Sequence, residues 1–191
     1  MALIGVLGLQ GDYGAHGKHL ARAGAQMRLV KKPAQLDGLD GLIIPGGEST
    51  ALIRLMEGWD FWGALRAFVD QGHPVFGTCA GMILLARQVV NPPQRSLGLI
   101  DIAVERNAYG RQVDSFEATG TYQGNGAVRS LEMVFIRAPR ILSLGEGVED
   151  LARCGERCVM ARQGHVLVAA FHPELTADLT VHSYFLGMAA R

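Results

Sequence analysis

The stretch Pro74-Val-Phe-Gly-Thr-Cys-Ala-Gly-Met-Ile-Leu-Leu-Ala86 constrains this chain more than any other. A short apolar run leads into a turn with Gly77 and Gly81 two residues either side of Cys79, and an apolar run of helical length follows. Small residues at minus two and plus two let a strand and a helix approach closely around a strained turn, which is the pattern of a nucleophile elbow. In such an elbow Cys79 sits at the tip of a strand and at a helix N-terminus, where unpaired N–H groups favour the thiolate, the form that attacks a carbonyl carbon. A lone cysteine between a strand and a helix also fits plain core packing, and residues elsewhere in the chain decide between the two.

The rest of the first half repeats the strand–turn–helix pattern. Residues 2–9 are apolar on both faces, as expected of a strand covered by helices on two sides. Gln10-Gly11-Asp12 is the first turn, and a helix over 13–24 ends at Gly24. It carries His16 and His19 at one-face spacing; with no third ligand type nearby they read as solvated or contact-surface residues, not as a metal site. A second strand covers 27–30. Leu42-Ile-Ile-Pro-Gly-Gly-Glu-Ser-Thr50 is a buried strand, a Gly-Gly turn, and then Ser49 or Thr50 as N-cap of a helix reaching about residue 56. Two successive glycines can turn backbone N–H groups toward a ligand, which suits an oxyanion hole as well as a tight turn. Phe61, Trp62, Leu65, Phe68 and Val69 recur at helical spacing and belong to the core.

After a loop at 91–96 the pattern changes to short strands at about 99–105, 113–122, 131–136, 148–154, 157–162 and 165–170, and a helix from about 177 closes the chain. Zero formal net charge, with 18 basic and 18 acidic residues, gives no reason to expect a nucleic-acid or anionic-membrane surface. Three cysteines, Cys79, Cys154 and Cys158, make no disulfide framework and point to a reducing compartment. No window approaches the roughly 18 apolar residues of a membrane span, and the N-terminal run has neither a basic lead nor a cleavage site, so a cytoplasmic location is expected. At 191 residues one domain over 1–191 is expected.

The end of the last strand supplies what the elbow needs. In His172-Pro-Glu174 the residues at i and i+2 would extend to the same side, so the carboxylate can hold one imidazole nitrogen while the other faces the thiol. Elbow, Gly-Gly turn and strand-end His-x-Glu, in this order, resemble the class I, triad-type glutamine amidotransferases, whose elbow is G-x-C-x-G and whose base motif is H-P-E. Within them the chain is similar to the glutaminase subunits of pyridoxal 5′-phosphate synthases. The matching segments are Gly5-Val-Leu-Gly-Leu-Gln-Gly11, Leu42 through Thr50 with Pro-Gly-Gly-Glu-Ser-Thr, Gly77-Thr-Cys-Ala-Gly81, Arg106-Asn-Ala-Tyr-Gly-Arg-Gln-Val-Asp-Ser-Phe-Glu117, Phe135-Ile-Arg-Ala-Pro139 and Phe171-His-Pro-Glu-Leu-Thr176.

The resemblance implies a flavodoxin-like α/β domain of three layers around a mixed, mostly parallel sheet. It implies that Cys79 attacks the carboxamide of L-glutamine, with His172 moving protons and Glu174 orienting it. It assigns the oxyanion hole to the N–H groups of Gly47 and Ala80 and the glutamine site to Gly46, Gly47, Glu48, Arg106, Ile136 and Arg137, with Gln10 a further candidate. No metal or cofactor is implied. The partner is the synthase subunit, which forms a hetero-oligomer with the glutaminase, takes its ammonia and completes its oxyanion turn on docking. The competing readings are an amidotransferase subunit of another synthase, a peptidase-like hydrolase on a related cysteine-elbow fold, and a non-catalytic regulatory subunit, which would need no intact triad.

Overall fold

In the computed structural model, residues 1–106, 115–126 and 128–190 are described, so the polar stretch 107–114 lies outside the description. The chain opens with β1 (Leu3–Leu7), α1 (Tyr13–Arg22) and β2 (Gln26–Val30), followed by β3 (Gly41–Ile44), α2 (Ser49–Glu57) and α3 (Phe61–Asp70). The elbow is β4 (Val75–Thr78) and α4 (Ala80–Leu85). The second half holds β5 (Ala86–Val90), β6 (Ile100–Glu105), β7 (Ser115–Tyr122), β8 (Arg129–Ile136), β9 (Arg140–Leu144), β10 (Glu149–Cys154), β11 (Arg157–Gln163) and β12 (Val166–Ala169), and α5 (Thr180–Ala189) ends it.

Nine strands form one sheet in the order β2-β1-β3-β4-β12-β11-β10-β7-β8. From β2 to β12 neighbours are parallel, and from β12 to β8 antiparallel. β3, β4 and β12 are buried at every residue, which is why each reads as an unbroken apolar run. Successive residues of β4 show the two covered faces. The Phe76 ring meets His16 of α1 and His182 and Phe185 of α5, whereas Gly77 points the other way, onto Gly81 of α4. α2 packs on α4 and on α3, which completes that layer.

β5, β6 and β9 make a separate three-stranded sheet. β5 and β9 were not anticipated: Ala86-Arg-Gln-Val-Val90 follows directly on the apolar run of the elbow helix, and Arg140–Leu144 is too short to show a period.

Adjacent parallel strands β1, β3, β4 and β12 all end at the same edge of the sheet. The turns that leave them carry Gln10, Gly46 to Glu48, Cys79 and His172 to Glu174. This is where α/β sheets hold ligands, because helix-leading turns converge beyond the carboxyl ends of the strands. The sheet also curls. β8, last in hydrogen-bonding order, returns to the turn after β12, where the His172 N–H donates to the Val134 carbonyl at 2.8 Å. That curl brings Ile136 and Arg137 to the same edge.

Candidate active site

Cys79 has φ 49° and ψ −102°, left-handed backbone that a non-glycine residue adopts at a cost on the order of 1–3 kcal/mol. The strand–helix junction imposes it. Cys79 N–H donates to the Ala169 carbonyl of β12 at 2.9 Å, while its own carbonyl accepts from Ile83 N–H at 3.2 Å. The flanking glycines are steric requirements. A Cβ on Gly81 would fall 2.2 Å from the Ile44 carbonyl oxygen, and one on Gly77 would fall 2.6 Å from the Gly81 backbone. Cys79 is 6% exposed, and Ala80 begins α4, so its N–H has no acceptor within that helix.

His172 and Glu174 meet as expected, by a different route. The expected extended i, i+2 arrangement is instead a 3₁₀ turn over Pro173–Leu175, in which His172 Nδ1 lies 2.8 Å from Glu174 Oε1. Proline at the first position of that turn disfavours continued strand and presets its φ. Burial works against a charged His172, but hydrogen bonds to Cys79 and Glu174 and the charge of Glu174 outweigh it and raise its pKa to about 10. Burial likewise opposes ionisation of Glu174, yet the His172 hydrogen bond and the nearby His16 and His172 hold its carboxyl below the usual range. The raised pKa favours the protonated imidazole, with the carboxylate behind it and the sulfur in front.

A cleft of about 190 Å³ opens over the sulfur, lined by Gly47, Glu48, Ser49, Cys79, Ile83, Arg106, Ile136, Arg137 and His172. Gly46 lies under the imidazole and does not line it: a Cβ there would fall 2.4 Å from His172 Cε1. Gly47 has φ 140°, and beneath it Gln10 Nε2 donates to the Glu48 carbonyl at 2.7 Å. Gln10 thus braces the Gly-Gly turn from outside the cleft.

The N-cap of α2 is Glu48, not Ser49 or Thr50. Its carboxylate accepts from Thr50 N–H at 2.9 Å and from Ala51 N–H at 2.7 Å. Although burial opposes its ionisation, these backbone donors and Arg106 hold Glu48 below the usual carboxylate range. Arg106 is anchored on the same group, 3.6 Å from Glu48 Oε1 and 3.2 Å from Thr50 Oγ1. Arg137, also at positive φ (42°), lines the cleft opposite. Ser49, which lies in the Pro45–Thr50 motif but was read only as a cap, and Ile83, which no motif announced, also line the cleft.

His16 and His19 are not solvated. They are 0% and 5% exposed, because α1 packs under the His172 turn and against α5. His16 Nε2 lies 3.5 Å from Glu174 Oε2, and its Nδ1 lies 3.0 Å from His182 Nε2. The ring nitrogens of His19 lie 3.2 Å and 2.9 Å from the Ala15 and Thr176 carbonyl oxygens. Among the described residues no cluster of His, Cys, Asp and Glu has metal-binding geometry, and no helix is long and apolar enough to cross a membrane.

The chain has relatives among known proteins that match it over nearly its whole length. It is 52% identical over 188 residues to a pyridoxal 5′-phosphate synthase subunit PdxT from Thermosipho africanus, covering 98% of this chain and 99% of that one. It is 53% identical to the PdxT subunit from Pelotomaculum thermopropionicum over 98% of this chain and 95% of the other. A crystal structure of a glutamine amidotransferase superposes with a TM-score of 0.91 at 47% identity, over 98% of this chain and 99% of that one. With the model of the SNO glutamine amidotransferase family matching residues 6–191 as well, this α/β chain belongs to that family.

Proposed function

We propose that the chain, working as one domain over residues 1–191, hydrolyses L-glutamine to L-glutamate and ammonia as the glutaminase subunit of a pyridoxal 5′-phosphate synthase. The observation that carries this reading is the placement of Cys79 at the elbow tip against a His172 that Glu174 backs at 2.8 Å. The names of the relatives supply the rest.

The Cys79 sulfur attacks the side-chain carboxamide carbon, and the carbonyl oxygen takes the negative charge, met by the N–H groups of Gly47 and Ala80. His172, protonated at rest, gives its proton to the nitrogen as the C–N bond breaks, so ammonia leaves and a glutamyl thioester remains. Now neutral, His172 takes a proton from water, whose oxygen attacks the thioester; the thiolate departs, glutamate is released, and the resting imidazolium is restored. Glu174 stays ionised and keeps Nδ1–H pointed away from the sulfur. Arg137, with Arg106 held in place by Glu48 and Thr50, supplies positive charge for the carboxylate at the amino-acid end of the substrate, and Ile136 packs against its chain.

A synthase subunit receives the ammonia. Gly46-Gly47 bears no side chain to resist a peptide turn, so docking can bring the Gly47 N–H into the oxyanion hole, an interaction worth ~10²–10³ in kcat. The neutral overall charge supports neither nucleic acid nor membrane as a partner, and three free cysteines fit a cytoplasmic location.

Ammonia release from glutamine, measured with and without the synthase subunit, tests the reading. At least tenfold activation is expected from completing one oxyanion donor, and Gly47→Val should remove the activation while leaving the fold intact. Equal rates with and without the partner would mean a stand-alone amidase. No ammonia under either condition, with cleavage of peptides instead, would favour the related hydrolases.

A further inference from the structure

The triad does not end at Glu174. Its Oε1 faces His172, and its Oε2, in a side chain 1% exposed, makes no hydrogen bond of ordinary geometry among the described residues and faces His16 Nε2, equally buried and unpartnered, at 3.5 Å. Resting on the glutaminase reading above, we propose that His16 is a positioning residue of the triad: its Nε2–H, set by a hydrogen bond from His182 to Nδ1, holds the second oxygen of Glu174 and so fixes the face of His172 turned to Cys79.

The direction of every proton in this chain follows from one premise, that Glu174 is ionised. A carboxylate only accepts, so each imidazole beside it must present an N–H. His16 is completely buried, and burial foremost, with His172 and His19 adding to it against Glu174 and Asp12, lowers its pKa and keeps it neutral. A neutral ring with N–H at Nε2 has a bare Nδ1, which must accept, so His182 donates through Nε2. That leaves His182 Nδ1 bare, and it is indeed a buried nitrogen with no partner. His182 is itself held neutral, at about 2, by burial and by the neighbouring His16 and His19. The opposite tautomer of His16 would set a lone pair against the carboxylate and leave a buried oxygen without a donor.

The groups facing His16 are Asp12 and His19 on its own helix, His172 and Glu174 from the turn after β12, His182 from α5, and the apolar Phe76 edge of β4. His16 thus contributes a donor without a charge, and the carboxylate keeps its full charge for His172. The 3.5 Å separation is long, as contacts in ligand-free catalytic sites often are before substrate orders them.

Two isosteres separate the ring nitrogens, since an asparagine amide overlays Nδ1 and a glutamine amide overlays Nε2. H16N should lower kcat with the synthase subunit present by ~10–100-fold at unchanged KM, the usual effect of losing an outer hydrogen bond. Its acid limb should move to higher pH, because a Glu174 lacking its second donor is protonated more easily. H16Q should restore most of the rate and the limb. In the unmutated protein, ¹⁵N NMR should report His16 as the neutral Nε2–H tautomer across neutral pH, a measurement independent of activity and of whether any variant folds. Equal behaviour of H16N and H16Q, or an Nδ1–H tautomer at His16, would overturn the proposal. Absence of glutaminase activity in the unmutated complex would instead defeat the functional reading and leave the tautomer test standing.

Discussion

Gly46→Ala adds one methyl group beneath the His172 imidazole, and the structure sets the size of the consequence. The new Cβ would lie 2.4 Å from His172 Cε1 and 3.2 Å from Cys79 Cβ, whereas ordinary contact begins at 3.4 Å. Cys79 is fixed by the elbow, so the imidazole is the group that yields, and it must retreat by about 1 Å, a displacement that typically costs ~10²-fold in rate. Gly46 is not among the glycines at positive φ, so alanine meets no backbone strain. The stability loss should stay near the low end of the ~1–3 kcal/mol of an overpacked site, reduced further by the smaller entropy of the unfolded chain. Rate and stability therefore separate: a hundredfold fall in kcat is ~2.7 kcal/mol of barrier, with about 1 kcal/mol of folding free energy lost. Steady-state glutaminase assays in the presence of the synthase subunit, paired with urea unfolding of the same preparation, measure both. A kcat within about threefold of the parent at an unchanged urea midpoint would show that His172 need not stand where it does, and would refute the geometric argument for the triad.

Cys79→Ser should abolish ammonia release with little loss of stability, and an electrophilic diazoketone analogue of glutamine should label Cys79 alone by peptide mass mapping. Cys158, whose thiol burial and the nearby Asp150 push up to about 12, has almost no thiolate to offer, so labelling of Cys158 or Cys154 before Cys79 would count against the assignment. Arg137→Ala should raise KM more than it lowers kcat, because a fixed charge beside an unreacting carboxylate binds ground and transition states alike; a collapse of kcat at constant KM would contradict it. The pH profile follows from His172 and Glu174. The raised pKa of His172 stabilises the folded protein below its ordinary 6.5, and that contribution is lost as pH rises through about 10; the lowered pKa of Glu174 stabilises above the ordinary carboxylate range and is lost on acidification. Glu174→Gln should bring the alkaline limb of kcat/KM down from near 10, and an unmoved limb would remove Glu174 from the role given to it.

What the sequence made legible, and what it hid, divides along one physical line. The parallel half could be read because its strands are buried on both faces and its turns are forced by sterics that only glycine relieves: Gly77 against Gly81, and Gly81 against Ile44. Such requirements are local, or repeat with a period, and leave a mark in composition. His16 and His19 left no such mark. On a ten-residue helix two polar rings three apart look like a solvated face, and what buries them is His182, 166 residues from His16, and Glu174, brought underneath by the 3₁₀ turn. The cap of α2 was misjudged for a related reason, since Ser49 and Thr50 are the better N-cap types in isolation, whereas the carboxylate of Glu48 also anchors Arg106, just past the end of β6. In each case the polar group takes its meaning from one distant partner, and it is around the triad that such pairings concentrate. A buried carboxylate that must stay charged to hold His172 gains from a polar group facing its second oxygen as well, and the fold sets His16 of α1 there, 3.5 Å away beneath the turn.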